Sequence, residues 1–528
     1  MLRSTARLRV LGLLLTGVLF ALGAAASTAS AAPSVWWSID QNLAPSNLPH
    51  GGEAFIVVTA ANNGYGTADG LVTPVTITDT LPENVEILRK GPKGEEAYVE
   101  GEGGQEASPT IQKLTCTVVA STVSCPYAGK TATTESVRLK ILVRINGAQG
   151  ANFTNKVQVS GGGSAPAEST RTSVIGPEET AEEEESGKNV PFKVDHYELQ
   201  AENADGTLDS QAGSHPFQLS TTFDLSKTVF KALPFGSGKE PREYYSAPAL
   251  VKNLHFLLPP GLIGNVAHRP QCSGANFNTF LTGGSTLCPA ETAIGVGTVT
   301  ALIPGGLGDY TAPVPIFNLI PDRGEPARFG FEIHSVPVVL TTKVRSGSDY
   351  AVEVSVHYAS EAAAVLNSQV VFWGVPGDPR HDSARGWNCI ASGFFVSSVE
   401  GNHPCTPANE PNAPAFLTLP TVCPASAATS TVTGESWPIT DPQEVKAPEV
   451  KTFEGGFTFA APFTNCDLLP FEPTINVEPE STHASSPTGM NVSIKVPQAS
   501  TLSATELAEA DIKNTKLVLP LGMTTNGG

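Results

Sequence analysis

The chain has 528 residues and is acidic, with 51 Asp and Glu against 32 Lys and Arg and a formal net charge of −19. Such a surface repels phosphate backbones and anionic headgroups, and no basic patch offsets it, so nucleic acid is excluded as a partner. Fifty glycines and 43 prolines beside only 16% charged residues, with apolar runs rich in Val, Thr, Ile and Phe, describe an all-β protein with many turns and very little helix.

The first residues read as an address. Arg3, Arg7 and Arg9 precede an apolar run over 10–24, and Ala29-Ser30-Ala31 supplies the small residues of a cleavage site between Ala31 and Ala32. A charged start, a short apolar core and an A-x-A site form a secretory signal over 1–31. A membrane anchor would want about 20 apolar residues. Loss of the three arginines takes the net charge from −19 to −22. No later segment reads as a span, because Pro259 and Pro260 break the apolar stretch 254–264. The expected location is extracellular or at the cell surface.

A first module is expected over 32–160. Residues 53–60 form a buried-strand pattern, and Asn62 to Gly66 a turn. Val75–Thr80 alternates, and Leu81-Pro82 closes it. Strands are also expected over 114–119, 137–145 and 153–159, with Val137, Leu139, Ile141, Val143 and Ile145 on one face. Short strands with frequent turns argue for a β-sandwich of immunoglobulin-like size. At these residues the chain resembles a known family. The run Val-Thr-Ile-Thr-Asp-Thr-Leu-Pro-Glu-Asn-Val from Val75, after a strand and an Asn-x-Gly turn, is similar to the "conserved repeat" domain of bacterial exported proteins. That family is a domain of unknown function, number eleven in its series. The resemblance covers 45–160 and implies an immunoglobulin-like sandwich, often in tandem on surface proteins, and no catalytic residues.

Residues 161–189 read as a linker, opening on Gly-Gly-Gly-Ser and carrying six glutamates between Glu178 and Glu185. After it comes an internal repeat. Residues 251–265 (VKNLHFLLPPGLIGN) and 512–526 (IKNTKLVLPLGMTTN) share six of fifteen positions at an offset of 261. Upstream, Val190-Pro191-Phe192 pairs with Leu469-Pro470-Phe471, and 215–225 with 486–497. Self-similarity at a set spacing means repeated structural units. A long β unit is therefore expected over 190–468, with two sandwich subdomains dividing near 376–386, and the start of a second, truncated unit over 469–528. On this reading the chain is part of a longer protein, and 470–528 packs poorly. Strands are expected over 217–223, 251–258, 294–302, 329–333, 352–356, 369–373, 394–398 and 456–463, with short helices over 361–366 and 505–512.

Eight cysteines are present: Cys116, Cys125, Cys272, Cys288, Cys389, Cys405, Cys423 and Cys466. In an exported chain an even count reads as disulfides, and eight cysteines allow 105 connectivities. Local bridges are favoured: Cys116–Cys125 across a hairpin, Cys272–Cys288, Cys389–Cys405, and Cys423–Cys466 as the remainder.

The densest polar cluster runs from Trp373 to Asp382, with Arg385 and Trp387 just beyond. A histidine oriented by a carboxylate can serve as a general base, so Asp378, His381 and Asp382 are the catalytic candidates if the protein is an enzyme. No G-x-S-x-G elbow supplies a serine partner. The competing reading is a Pro/Gly turn held by an Asp–Arg pair beneath Trp373. This loop and the Leu-Pro-Pro-Gly-Leu turn resemble large tandem-repeat exported proteins of actinobacteria. The ten histidines show no H-E-x-x-H spacing, and no calcium-loop motif occurs. No cofactor or metal is expected, although calcium on an inter-domain loop needs no such motif. The expected function is that of a structural or adhesive surface protein, not an enzyme, contacting protein or glycan. The alternative is a secreted carbohydrate-active enzyme or carbohydrate-binding protein.

Overall fold

The structure, a computed structural model, describes residues 34–90, 96–103, 112–180, 189–232, 242–280, 286–303, 308–347, 349–390, 405–439, 448–519 and 521–523. The expected signal segment, the strand 394–398 and the glutamates beyond residue 180 lie outside the described residues.

The main strands of the first domain are β1 Trp37–Ala44, β2 Glu53–Asn62, β3 Val75–Thr80, β4 Val99–Gly103, β5 Gln112–Leu114, β6 Thr117–Val119, β7 Thr122–Tyr127, β8 Ser136–Ile145, β9 Asn152–Gly161 and β10 Ser164–Val174, and the short strand Val85–Ile87 also pairs with β8. One sheet has the order β1-β2-β8-β4-β5, and the other β6-β7-β3-β9-β10. The two-residue period of a strand explains the core. Val137, Leu139, Ile141, Val143 and Ile145 are all fully buried. They meet Ile77, Cys125, Phe153, Val157 and Val159 from the opposite sheet. Each such side chain contributes about 1.5–3 kcal/mol by leaving water. The expected strand 114–119 is two strands, because the chain crosses from one sheet to the other at Cys116, where the bridge to Cys125 ties the crossing.

The linker reading needs correction. Gly161, Gly162 and Gly163 all have positive φ and make the turn of the β9–β10 hairpin. Residues 164–174 are thus the edge strand of the sandwich. Their Ser, Ala, Thr and Glu content suits an exposed edge, which is why they read as a spacer.

Eleven strands build the main sheet of the second domain: β11 Val194–Glu202, β12 Gln218–Leu225, β13 Val251–Leu257, β14 Ala293–Ile303, β15 Gly308–Leu319, β16 Arg328–Ile333, β17 Val336–Val344, β18 Val352–Val356, β19 Ala364–Trp373, β20 Thr429–Ser436 and β21 Thr452–Thr458. They form one antiparallel sheet in the order β11-β12-β19-β14-β15-β16-β17-β18-β13-β20-β21. A twisted sheet of more than about 10 strands curls. Here β11 comes round to β21. Phe192, just before β11, stacks edge-on against Phe453 at 5.1 Å, and the Tyr197 hydroxyl meets Ser430 Oγ at 2.6 Å. A Cβ at Gly455 would lie 3.1 Å from that of Val194, so glycine permits the close approach. The unit is a rolled sheet closed by side chains. The two subdomains expected on either side of 376–386 are not separate sheets, since β19 before it and β20 after it belong to the same one.

Among the described residues there is one short α-helix, α1 Gly274–Phe277, capped by the Ser273 hydroxyl and lying between Cys272 and Cys288. The helices expected over 361–366 and 505–512 are not formed. Ala364 and Leu366 are buried while Val365 is half-buried, a strand alternation that opens β19, and 505–512 is irregular. The eight cysteines pair as Cys116–Cys125, Cys272–Cys288, Cys389–Cys405 and Cys423–Cys466.

A last hairpin, β22 Thr474–Pro479 and β23 Met490–Lys495, sits where the sequence repeat places the counterparts of β11 and β12. Its residues are exposed apart from half-buried Met490. The segment after it does pack: Ala508 is buried and donates to Gly213 O, and Ala415 donates to Leu502 O.

Candidate functional site

The loop singled out from sequence follows β19 directly. Asp378 caps a 3₁₀ turn over Pro379–Ala384 through the Arg380 amide, and the same carboxylate takes hydrogen bonds from the Arg380 guanidinium. Burial opposes ionisation of Asp378, but the Arg380 bonds outweigh it and hold the carboxyl below its usual range. Asp382 accepts from Arg385 Nε at 3.0 Å and from the Ala408 amide at 3.1 Å. The Arg385 side chain is wholly buried. His381 lies between two rings, stacked on Trp373 at 4.7 Å and 12° and against Phe217 at 4.4 Å. Burial pushes its pKa down to about 3, so the imidazole is neutral.

The structure therefore brings Asp378, His381 and Asp382 into one turn but gives each a structural task. Both carboxylates are taken by arginines, and the histidine fills an aromatic slot. The crevice beside them has a volume of about 20 Å³, roughly the room one water needs and far below a sugar-binding cleft. Its walls come from both domains, including Tyr65 and Thr133 of the sandwich and Phe217 and Trp373 of the rolled sheet. Arg380 extends over the rings of Phe217 and Tyr65, and Ser383 meets Thr133 at 3.2 Å. The loop is a wedge between the domains.

That wedge is one end of a longer seam, which sequence reasoning did not find. On β12 and β19 the strand period sorts side chains to two faces. Leu219, Phe223, Val370 and Phe372 line the interior of the roll. Thr222, Asp224, Asn367 and Gln369 fall on the other face, with Thr222 opposite Gln369 and Asp224 opposite Asn367 in register. The outward face meets β1. Gln369 Nε2 donates to Ser38 at 2.6 Å, Asn63 donates to Gln369 at 3.0 Å, and Asn367 donates to Asp40 at 2.7 Å. Arg171 of β10 donates to Asp224 at 3.1 Å. The buried Lys227 ammonium bonds Asn42, and its backbone exchanges two hydrogen bonds with Ser46. Beside this polar strip lies an apolar one, where Phe55, Val57 and Leu142 of the sandwich pack with Tyr245, Ala247 and Leu366. Lys140 caps it, 4.1 Å above the Phe55 ring and 4.8 Å above that of Tyr245.

The seam carries charge out of water. Burial and the nearby Asp40 push the Asp224 pKa up to about 7, against Lys227 and Arg171. For Asp40, burial is outweighed by Arg171 and Lys227, and its pKa is lowered. Oδ1 of each carboxyl is buried and accepts no hydrogen bond from the described residues. The outward polar residues of an otherwise apolar β12 (QLSTTFDL) were the readable sign of a second contact face.

Among the described residues no cluster of three or more His, Cys, Asp or Glu side chains is arranged to hold a metal, and no helix is long and apolar enough to cross a membrane. The fold and its seam define the class: an all-β, disulfide-bonded protein with a two-sheet sandwich locked to an eleven-stranded rolled sheet. No protein-family model matches the chain, and no curated protein does. Among solved structures, the collagen-binding domain from a Staphylococcus aureus adhesin is 11% identical, covering 27% of this chain and 98% of that one at a TM-score of 0.19. The full-length major pilin SpaD from Corynebacterium diphtheriae is 9% identical, covering 60% of this chain and 59% of that one at 0.19. AvmM, which catalyses macrocyclization in alchivemycin A biosynthesis, is 9% identical, covering 27% of this chain and 91% of that one at 0.17. Likenesses at these TM-scores carry no argument about this chain.

Proposed function

We propose that this is an exported, non-catalytic surface or extracellular protein whose two β domains act as one rigid body and present their exterior for contact with a protein or glycan. The observation that carries the reading is the seam. The residues best suited to acid–base chemistry, Asp378, His381 and Asp382, are spent on wedging the domains together. Buried charges at Asp224 and Lys227 then fix how the domains sit. Rigidity of this kind serves presentation, since a preorganised surface loses less freedom on binding. Four disulfides and a charged, apolar, A-x-A start support an address outside the cytoplasm. The likeness of 45–160 to the conserved-repeat domain of exported proteins supports a surface location.

The test uses the purified full chain on arrays of glycans and extracellular matrix proteins, with parallel hydrolysis assays on the same glycans. Binding to at least one array member, unchanged in Asp378→Asn, with no glycan hydrolysed, supports the reading. Hydrolysis lost in Asp378→Asn or His381→Ala would replace it with the carbohydrate-active enzyme.

A further inference from the structure

An antiparallel roll of about eight strands is just filled by its own side chains, and diameter grows with strand number. This one has eleven, so its interior should hold space, and it does. A cavity of about 130 Å³ lies between Leu219, Phe256, Phe329 and Phe372, and a second of about 80 Å³ lies beyond it, between Leu254, Phe331 and Val299. The two share Phe223, Phe256, Leu340, Ser368 and Val370 as common wall. Phe223 and Phe256 meet edge-on at 5.7 Å. The cavities are thus two lobes in line, with an aromatic pair between them.

The lining fixes the chemistry of an occupant. No charged side chain faces either lobe, and the polar groups of the larger lobe are the hydroxyls of Thr221, Thr342 and Ser368. Thr342 is already committed, donating to Ala327 O and accepting from Ala327 N. Nothing there would repay the desolvation of a carboxylate, a phosphate or a sugar. An apolar cavity near 150 Å³ suffices for a small hydrocarbon. Two lobes in line suit a narrow, unbranched chain better than a fused-ring body. Leu262, Ile263, Gly264 and Pro326 form the outer end of the larger lobe, and the Ile263 side chain is half exposed there. Arg328, two residues from Pro326, is held by Asp322 and Glu325, and Arg345 is held by Asp349 and the Leu258 carbonyl. No cation belongs to the lining, which leaves an anionic head without a partner inside the lobe.

We propose that the rolled sheet is a binding site for a single unbranched hydrocarbon chain with an uncharged head, entering beside Ile263 with its tail reaching the Phe223–Phe256 pair. The chain would be gripped by burial alone, and Phe256 sets how deep it goes.

The probe is 1-decanol, titrated into the full chain by isothermal calorimetry and compared with decanoate. The full chain should take up 1-decanol saturably at one site, and at lower concentration than decanoate. Val370→Trp, which fills the common wall, should weaken 1-decanol by about tenfold or more, as losing burial of roughly two methylenes implies. Phe256→Ala joins the lobes and should tighten binding of 1-tetradecanol relative to 1-decanol. This second variant keeps the test valid where Val370→Trp does not fold. Absence of saturable binding in the unmodified chain would overturn the proposal. So would probe binding unchanged in both variants, which would place it on exposed apolar surface such as the β22–β23 hairpin.

Discussion

Arg171 of the sandwich donates a hydrogen bond to Asp224 of the rolled sheet at 3.1 Å, and the Asp224 carboxyl is wholly shielded from solvent. Asp40, Lys227, Asn42 and His196 complete the surroundings. A buried charge is tolerated only with a partner, or after taking up a proton. Asp224 has both options, and the choice between them depends on pH.

Arg171→Ala removes the partner. Near pH 8 the variant should lose about 3 kcal/mol, the cost of stranding one member of a buried pair. Near pH 5 Asp224 carries its proton and the loss should shrink. Urea titrations at the two pH values check this, and an equal loss at both would refute it.

Three further carboxyls, Asp79, Glu202 and Glu332, are pushed by burial to a pKa of about 7. With Asp224 they bind protons more tightly folded than unfolded. Their stabilising contribution is full below the unfolded values of about 4 and is lost as pH rises toward about 7. His381 acts in the opposite sense, since its folded pKa of about 3 makes stability fall as pH drops below about 6.5. Four carboxyls outweigh one imidazole, so the melting temperature should be higher near pH 5 than near pH 8. Asp79→Asn with Glu202→Gln should flatten the profile. A melting temperature that rises from pH 5 to pH 8 would contradict the assignment.

His381 is neutral and packed between rings, with no hydrogen bond to Nε2 from the described residues. His381→Phe keeps the stack and removes the orphaned nitrogen, so stability should change by less than about 1 kcal/mol. His381→Ala opens a cavity at the seam and should cost about 2–3 kcal/mol. Chemical denaturation distinguishes them. A Phe variant as damaged as the Ala variant would mean that the imidazole has a polar role.

Cys423 and Cys466 close the longest bridged loop, with a sequence separation of 43. Replacing both with Ser should lower stability by about 4 kcal/mol on the chain-entropy account. A loss below about 1 kcal/mol would show that the reduced chain is already constrained there.

What the sequence disclosed followed from period and chemistry. The face Val137 to Ile145 was legible because every second residue is apolar and every one is buried. The cysteine pairing was legible because three bridges are local and every bridge joins cysteines consecutive in the chain. The strands β15 and β17 were missed because Pro313, Pro315 and Pro337 argue against strands, yet all three sit in paired positions. The edge strand β10 was missed because an exposed edge needs no apolar side chain. At the loop, residue types suggested catalysis, but whether Asp378 faces a substrate or Arg380 depends on how residues far apart in the chain converge. The seam was illegible for the same reason: Asp40 and Asn367 are 327 positions apart.

On the proposed function, sandwich and rolled sheet behave as one body. Calorimetric unfolding of Ile141→Ala tests it, since Ile141 is fully buried in the sandwich core alone. One transition is expected in the parent and one in the variant, shifted as a whole because the seam couples the domains. A variant in which the sandwich melts early while the rolled sheet melts at the parent temperature would contradict it.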